Sequence, residues 1–148
     1  MNIIWSLKKF DDLSPKELYS ILQLRNEVFA IEQNCVYRDM DNQDQPSHHL
    51  MARQNEKLVA YTRIIPPRIA YTEPSIGRVV TSSSVRGTGM GKILMEKSIE
   101  ETYKLYGKTP IKIGAQLYLL KFYSDLGFRK TSAIYLEDGI EHVEMIKS

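Results

Sequence analysis

Arg78-Val79-Val80-Thr81, a short Ser82-Ser83-Ser84-Val85 link, and then Arg86-Gly87-Thr88-Gly89-Met90-Gly91-Lys92 form the stretch on which the reading of this chain turns. A β-branched run predicts a strand ending at Thr81, and the apolar spacing after Gly89 predicts a helix to about Tyr106, stopped by Gly107. Three glycines lie within the five residues from Gly87 to Gly91. Glycine permits a left-handed backbone and close approach, and a helix start offers unpaired N–H groups with a partial positive charge. An anion such as phosphate is the natural guest. A nucleotide P-loop is excluded, because it needs glycine where Arg86 stands and Ser or Thr where Ile93 stands. A dinucleotide fingerprint fails as well, since Lys92 takes the place of its third glycine.

Outward from this centre the sequence punctuates itself clearly. Ile3, Trp5 and Leu7 alternate as a first strand; Ser14-Pro15-Lys16-Glu17 is a capping box with proline at the first helical position. Leu18, Ile21, Leu22, Arg25, Val28 and Phe29 continue that helix as a stripe whose one charge is Arg25. Residues 33–47 read as a long polar loop. His49 to Arg53 and Leu58 to Ile65 flank Asn55-Glu56-Lys57 as a hairpin, closed by Pro66-Pro67. Downstream come a strand at Ile111–Ala115, a short helix from Leu117 to about Leu126, and two strands around Glu137-Asp138-Gly139. The fold class expected is α/β (α+β): a mixed sheet with helices on both faces, forming a single domain over residues 1–148.

Composition narrows the function classes. Twenty Lys plus Arg against 18 Asp plus Glu give a net charge of +2, without the basic excess of a nucleic-acid binder. No apolar run approaches the roughly 18 residues of a membrane span, and no signal peptide is evident at the N-terminus. Cys35 is the single cysteine, so neither an internal disulfide nor a site of paired thiolates is expected, no metal is expected, and a reducing cytoplasmic setting fits.

The pattern Arg-Gly-x-Gly-x-Gly after a Val-Val strand resembles the GNAT superfamily of acyl-CoA-dependent N-acyltransferases. Phe122-Tyr123-Ser124-Asp125-Leu126-Gly127-Phe128, after Gly114-Ala115-Gln116, resembles that family's second cofactor segment. Leu24-Arg25, Val28-Phe29, Glu32-Gln33, Cys35, Tyr37, Asp41, Asp44 and the late Glu137-Asp138-Gly139-Ile140, His142 and Met145 extend the similarity over nearly the whole chain to the ElaA-like branch. The resemblance implies a mixed, mostly antiparallel sheet and direct transfer of an acetyl group from acetyl-CoA to an amine. It implies that Val79, Val80 and Thr81 bond pantetheine through their backbone. Arg86, Gly87, Thr88, Gly89, Met90, Gly91 and Lys92 are then expected to wrap the pyrophosphate, Gln116 to contact the cofactor, and Tyr123 to protonate the departing thiolate.

On the acceptor side, Arg25, Glu32 and His49 are expected to line a pocket for a small-molecule or peptide amine, with Glu32 as the base and Asp41, His49 and His142 as other candidates. Glu32, Asp39, Asp41 and Asp44 are expected to gather around a loop that meets a cationic acceptor. No nucleic-acid or membrane partner is expected, and the assembly is a monomer or homodimer. The rival reading is a coenzyme A binding or sensing module of the same fold without turnover. Cys35 as an acyl-carrying nucleophile is the least economical scheme, because direct transfer uses the glycine loop and Tyr123 without it.

Overall fold

The computed structural model describes residues 2–148. Four strands, β1 (Ile4–Lys9), β2 (His48–Gln54), β3 (Lys57–Ile65) and β4 (Ser75–Thr81), pair antiparallel in chain order. A second sheet is built on β8 (Ile140–Lys147), which pairs antiparallel with β5 (Ile111–Gln116) along one edge and with β6 (Arg129–Lys130) and β7 (Tyr135–Glu137) along the other. Near the start of both β4 and β5, Lys112 N donates to Pro74 O at 3.1 Å. The two strands run the same way from that link and then separate. The sheet is therefore mixed but mostly antiparallel, as the sequence implies.

Local chemistry sets these elements. Ser14 Oγ accepts from Glu17 N at 3.1 Å and Glu17 Oε1 accepts from Ser14 N at 2.8 Å, so the capping box starts α1 (Pro15–Arg25) where expected. The same helix then widens into a π-helical turn over Asn26–Glu32, with Gln33 N and Cys35 N donating to the carbonyls of Val28 and Ala30. Asn55 and Glu56, and likewise Asp138 and Gly139, take positive φ at both turn positions, the geometry that suits tight hairpins. The sequence reading missed β6. Its two residues are cut off from β7 where Ser132 Oγ accepts from Glu144 N at 2.8 Å in place of a ladder bond.

The two faces of the first sheet follow the two-residue alternation. Met51, Tyr61 and Val80 meet Ile21 and Leu24 of α1; Leu50, Ala52 and Ala60 meet Met90 and Leu94 of α2 (Met90–Tyr106). The second stripe of α2, Met95 and Ile99, packs on Ile76, Ile113, Val143 and Met145. One helix thus lies under both sheets and spans the gap between β4 and β5. No helix among the described residues is long and apolar enough to cross a membrane.

The loop at residues 33–47 corrects the sequence reading most sharply. Its aspartates do not face an acceptor; they turn inward and meet three arginines. Arg25, 0% exposed, donates to Asp44 Oδ1 at 2.9 Å and to Asp39 O at 3.1 Å, and its Nε stands 3.0 Å from Asp39 Oδ2 as an ion-pair contact without hydrogen-bond alignment. Arg63 holds Asp41 through two bonds of 2.8 and 2.9 Å and shares Asp44 Oδ1 at 2.9 Å. Arg78 reaches Asp39 Oδ1 and Asp39 O at 3.0 Å and Asp41 Oδ2 at 3.3 Å. His49 is sealed in beside them: its Nε2 donates to Asp44 O at 2.9 Å, which leaves Nδ1 to accept from Tyr61 Oη at 2.6 Å. Arg25 and His49 are therefore parts of the packing, not walls of a pocket.

Burial alone would raise the carboxyls of Asp41 and Asp44, but the adjacent guanidinium groups outweigh it and hold both below the usual range. Burial lowers His49 and His48, which are kept neutral. All four groups favour the folded state more as pH rises. The histidine contribution is complete above their unfolded value of about 6.5, and the aspartate contribution above about 3.9. Stability should therefore fall in two stages on acidification, first below about pH 6.5 and again below about pH 4, when urea midpoints are followed from pH 7.5 downward. Asp44→Asn removes the carboxylate shared by two buried guanidiniums that keep Asp39 and Asp41, and should cost about 1–3 kcal/mol in the same assay at neutral pH.

Arg78 also carries the main irregularity of the first sheet. Tyr61 pairs with Val80 but Arg63 pairs with Gly77, so β4 contains one residue more than β3 at this point, and Arg78 takes φ +50°. A left-handed backbone costs a non-glycine residue about 1–2 kcal/mol. Its ion pairs and a guanidinium placed 5.6 Å from the Tyr37 ring centre oppose that strain. Arg78→Ala and Arg78→Gly lose the same contacts, but only the glycine relieves the backbone. The glycine variant should be the more stable by about 1 kcal/mol in urea denaturation; equal midpoints would show that the bulge is unstrained.

Candidate active site

Where β4 and β5 part, they leave a cleft of about 560 Å³. Ile76 to Thr81 form one wall; Ile113, Gly114 and Gln116 form the other. Arg86 and Gly91 border it together with Phe122 and Tyr123 of α3 (Leu120–Asp125), and the π-helical turn delivers Val28, Phe29 and Glu32. The hairpin of β7 and β8 contributes Glu137, Asp138, Ile140 and His142.

The β4 wall presents backbone. Beyond its link at Pro74 the strand has no ladder partner on the cleft side, and its bulge disrupts the regular ladder. At the end of this strand the chain passes Gly87 and Gly89 at φ +78° and +85°, and Gly89 caps α2 without a side chain. The first intrahelical bond of that helix runs from Ile93 N to Gly89 O. The N–H groups of Met90, Gly91 and Lys92 precede it and are open donors at the positive end of a 17-residue helix. Such a start can hold an anion.

Of the residues singled out in the sequence, Val79, Val80, Thr81, Arg86, Gly91, Gln116, Tyr123 and Glu32 line the cleft. Gly87, Thr88, Gly89, Met90 and Lys92 do not; Thr88 and Met90 instead border a hollow of about 350 Å³ with Ile3, Trp5 and Ile93. Arg25 and His49 are absent from the lining, for the reason given by their burial in the ion network. Glu32 and Arg86, assigned from the sequence to opposite substrates, are bonded to one another: Arg86 Nη1 lies 2.6 Å from Glu32 Oε1 while Nη2 donates to Thr81 O at 2.9 Å.

Tyr123 is 6% exposed, its ring edge-on to Phe122 and Phe128. Burial, and then the neighbouring Tyr118 hydroxyl, push its phenol above the ordinary range, so it is protonated at neutral pH. The phenol therefore holds its proton more firmly than an ordinary tyrosine and is present in the cleft in its proton-carrying form. Gln116 is tied to Gln33 by an amide pair at 3.2 and 3.4 Å, and Cys35 Sγ donates to Asp138 O at 3.3 Å. These two contacts bring the long loop over to β5 and to the β7–β8 turn. Sequence reading assigned no function to Glu137 or Asp138, because Asp138-Gly139 is fully explained as a turn; only the pairing of β8 with β5 brings them to the cleft.

Comparison with known proteins agrees with this geometry. The family model described as an acetyltransferase (GNAT) domain matches residues 10–148. The chain is 42% identical over 147 residues to a UPF0039 protein of Synechocystis (99% of this chain, 96% of that protein) and 38% identical over 147 residues to ElaA of Escherichia coli (98% and 96%). Among solved structures it superposes on an acyl-CoA N-acyltransferase from Pseudomonas aeruginosa with TM-score 0.95 at 41% identity, covering 99% of this chain and 100% of that one. A glycine-capped helix, a bulged strand with a free edge and a near full-length family match lead to one conclusion: the chain belongs to the GNAT acetyltransferase family, with ElaA and UPF0039 proteins among its relatives.

Proposed function

We propose that the protein transfers an acetyl group from acetyl-CoA directly to an amine. The observation that carries this reading is that one cleft is bordered by Arg86 and Gly91 at the start of α2, by the unpaired edge of β4 and by the buried phenol of Tyr123. An acyl-CoA offers matching parts: a pyrophosphate, a pantetheine chain with amides that can bond an extended strand, and a thioester. The residues present fit that co-substrate. Gly89 to Lys92, with Arg86, suit the pyrophosphate, Val79 to Thr81 the pantetheine, and Gln116 the wall opposite.

Catalysis in such a cleft is mostly positioning, with backbone N–H groups near the bulge polarising the thioester carbonyl. Tyr123 then gives its proton to sulfur as the C–S bond breaks. The acceptor enters from the end formed by the π-helical turn, the long loop and the β7–β8 hairpin, where Glu32, Glu137 and Asp138 favour a cationic amine.

Coenzyme A release from acetyl-CoA, measured against polyamines, amino acids, peptides and aminoglycosides, tests turnover and acceptor class together. Tyr123→Phe should lower kcat about 100-fold or more while leaving the calorimetric affinity for coenzyme A unchanged; full activity in that variant would exclude the acid role. Gly89→Asp places a side chain and a negative charge at a residue with φ +85° on the helix start, and coenzyme A binding should be lost. Tight binding of coenzyme A with every amine silent would instead identify a binding module.

A further inference from the structure

An alkylamine reaches the cleft as an ammonium ion at neutral pH and must lose a proton before its nitrogen can attack. The groups favoured from the sequence are poorly arranged for that task. Glu32 is engaged by Arg86, Asp41 by Arg63 and Arg78, and both ring nitrogens of His49 by Tyr61 and Asp44.

His142 is less tightly held: its Nδ1 has a hydrogen-bond partner, but its Nε2 makes only a 3.4 Å contact with the exposed Glu137 carboxylate. It stands on β8 opposite Gln116 of β5, is 6% exposed, and lines the cleft. Its Nδ1 lies 2.7 Å from Ile140 O. A carbonyl can only accept, so Nδ1 carries a proton, and a ring with that one proton has its lone pair on Nε2. That second nitrogen lies 3.4 Å from Glu137 Oε2, close enough for the carboxylate to stabilise the ring once it gains a proton. The ring is held in place by stacking on Tyr135 at 5.8 Å. Other ionisable groups lining the same cleft include Asp138 in the turn, Cys35, and Glu32 with its partner Arg86.

We infer that His142 Nε2 is the proton acceptor for the amine substrate, with Glu137 as its positioning residue. The inference rests on the transferase reading above and deepens it. The ammonium gives one proton to Nε2. Its nitrogen forms the C–N bond as the C–S bond breaks, sulfur takes the proton of Tyr123, and the second nitrogen proton restores that phenol. His142 then returns its proton to water, so one amide, one free thiol and one released proton result.

The test compares two amines with acetyl-CoA: 1,4-diaminobutane, which arrives protonated, and methoxyamine, which arrives neutral. His142→Ala should lose about 100-fold or more in kcat/KM with the diamine and little with methoxyamine, and added imidazole should restore the diamine rate. Equal losses with both amines, or no restoration by imidazole, overturns the role. Coenzyme A calorimetry checks that the variant is folded. Should it fail that check, Glu137→Gln decides: its side chain is 59% exposed, and it should slow the diamine several-fold more than methoxyamine, whereas equal rates overturn the pairing. A wild-type enzyme silent with both amines and with the whole acceptor panel overturns the transferase reading itself, a result distinct from an active wild type matched by an active His142→Ala.

Discussion

Three guanidinium groups and three carboxylates, closed into one network beneath the long loop, form the interaction on which the rest of this structure depends. Each arginine comes from a different element: Arg25 from the end of α1, Arg63 from β3 and Arg78 from β4. Every aspartate comes from the loop. A segment with almost no regular hydrogen bonding of its own is therefore fastened at three points to the scaffold. Buried ion pairs of this kind add little net stability over apolar packing, because desolvation offsets attraction. What they supply is a defined position, since a guanidinium satisfied by two carboxylates tolerates few alternative arrangements.

That position governs the cleft. The network fixes Arg78 at the bulge, and the bulge lies on the wall of β4 that faces the gap. The same loop sends Gln33 to Gln116 and Cys35 to the carbonyl of Asp138, closing one end of the opening. Below, α2 packs against both sheets through two stripes, so the sheets can separate above it without coming apart. Loop, bulge and helix are thus one mechanical unit around the space in which the chemistry is proposed.

Much of this was legible in the sequence because it is local. The capping box of Ser14 and Glu17, the turn at Asp138-Gly139 and the glycines before α2 act over a few residues, and each forms where the chain predicts. Arg25 on an apolar stripe announced that something unusual was buried there, but not what would meet it. Its partners lie 14 and 19 residues further on, in a loop whose aspartates look solvated when read alone. Acidic residues in a loop have the same composition whether they face water or an arginine. β6 was missed for a related reason, since a two-residue strand has no periodicity to read. The cleft-facing place of Glu137 and His142 follows from the register of β8 against β5 and β7, a long-range property that spacing along the chain does not encode.

The bond between Arg86 and Glu32 links a side chain proposed for the anionic substrate to one proposed for the cationic substrate, and this has a thermodynamic consequence. An anion that draws Arg86 toward the start of α2 leaves the Glu32 carboxylate without its partner, so the cleft beside Glu32 becomes more attractive to a cation. Linkage makes the effect mutual: a cation held by Glu32 releases Arg86 for the anion by the same free energy. Both side chains are about 40% exposed, at 42% and 39%, so that coupling is limited to the scale of an exposed ion pair, about 1 kcal/mol or less. Even so, it biases the order in which two oppositely charged substrates fill the cleft without any movement of the backbone.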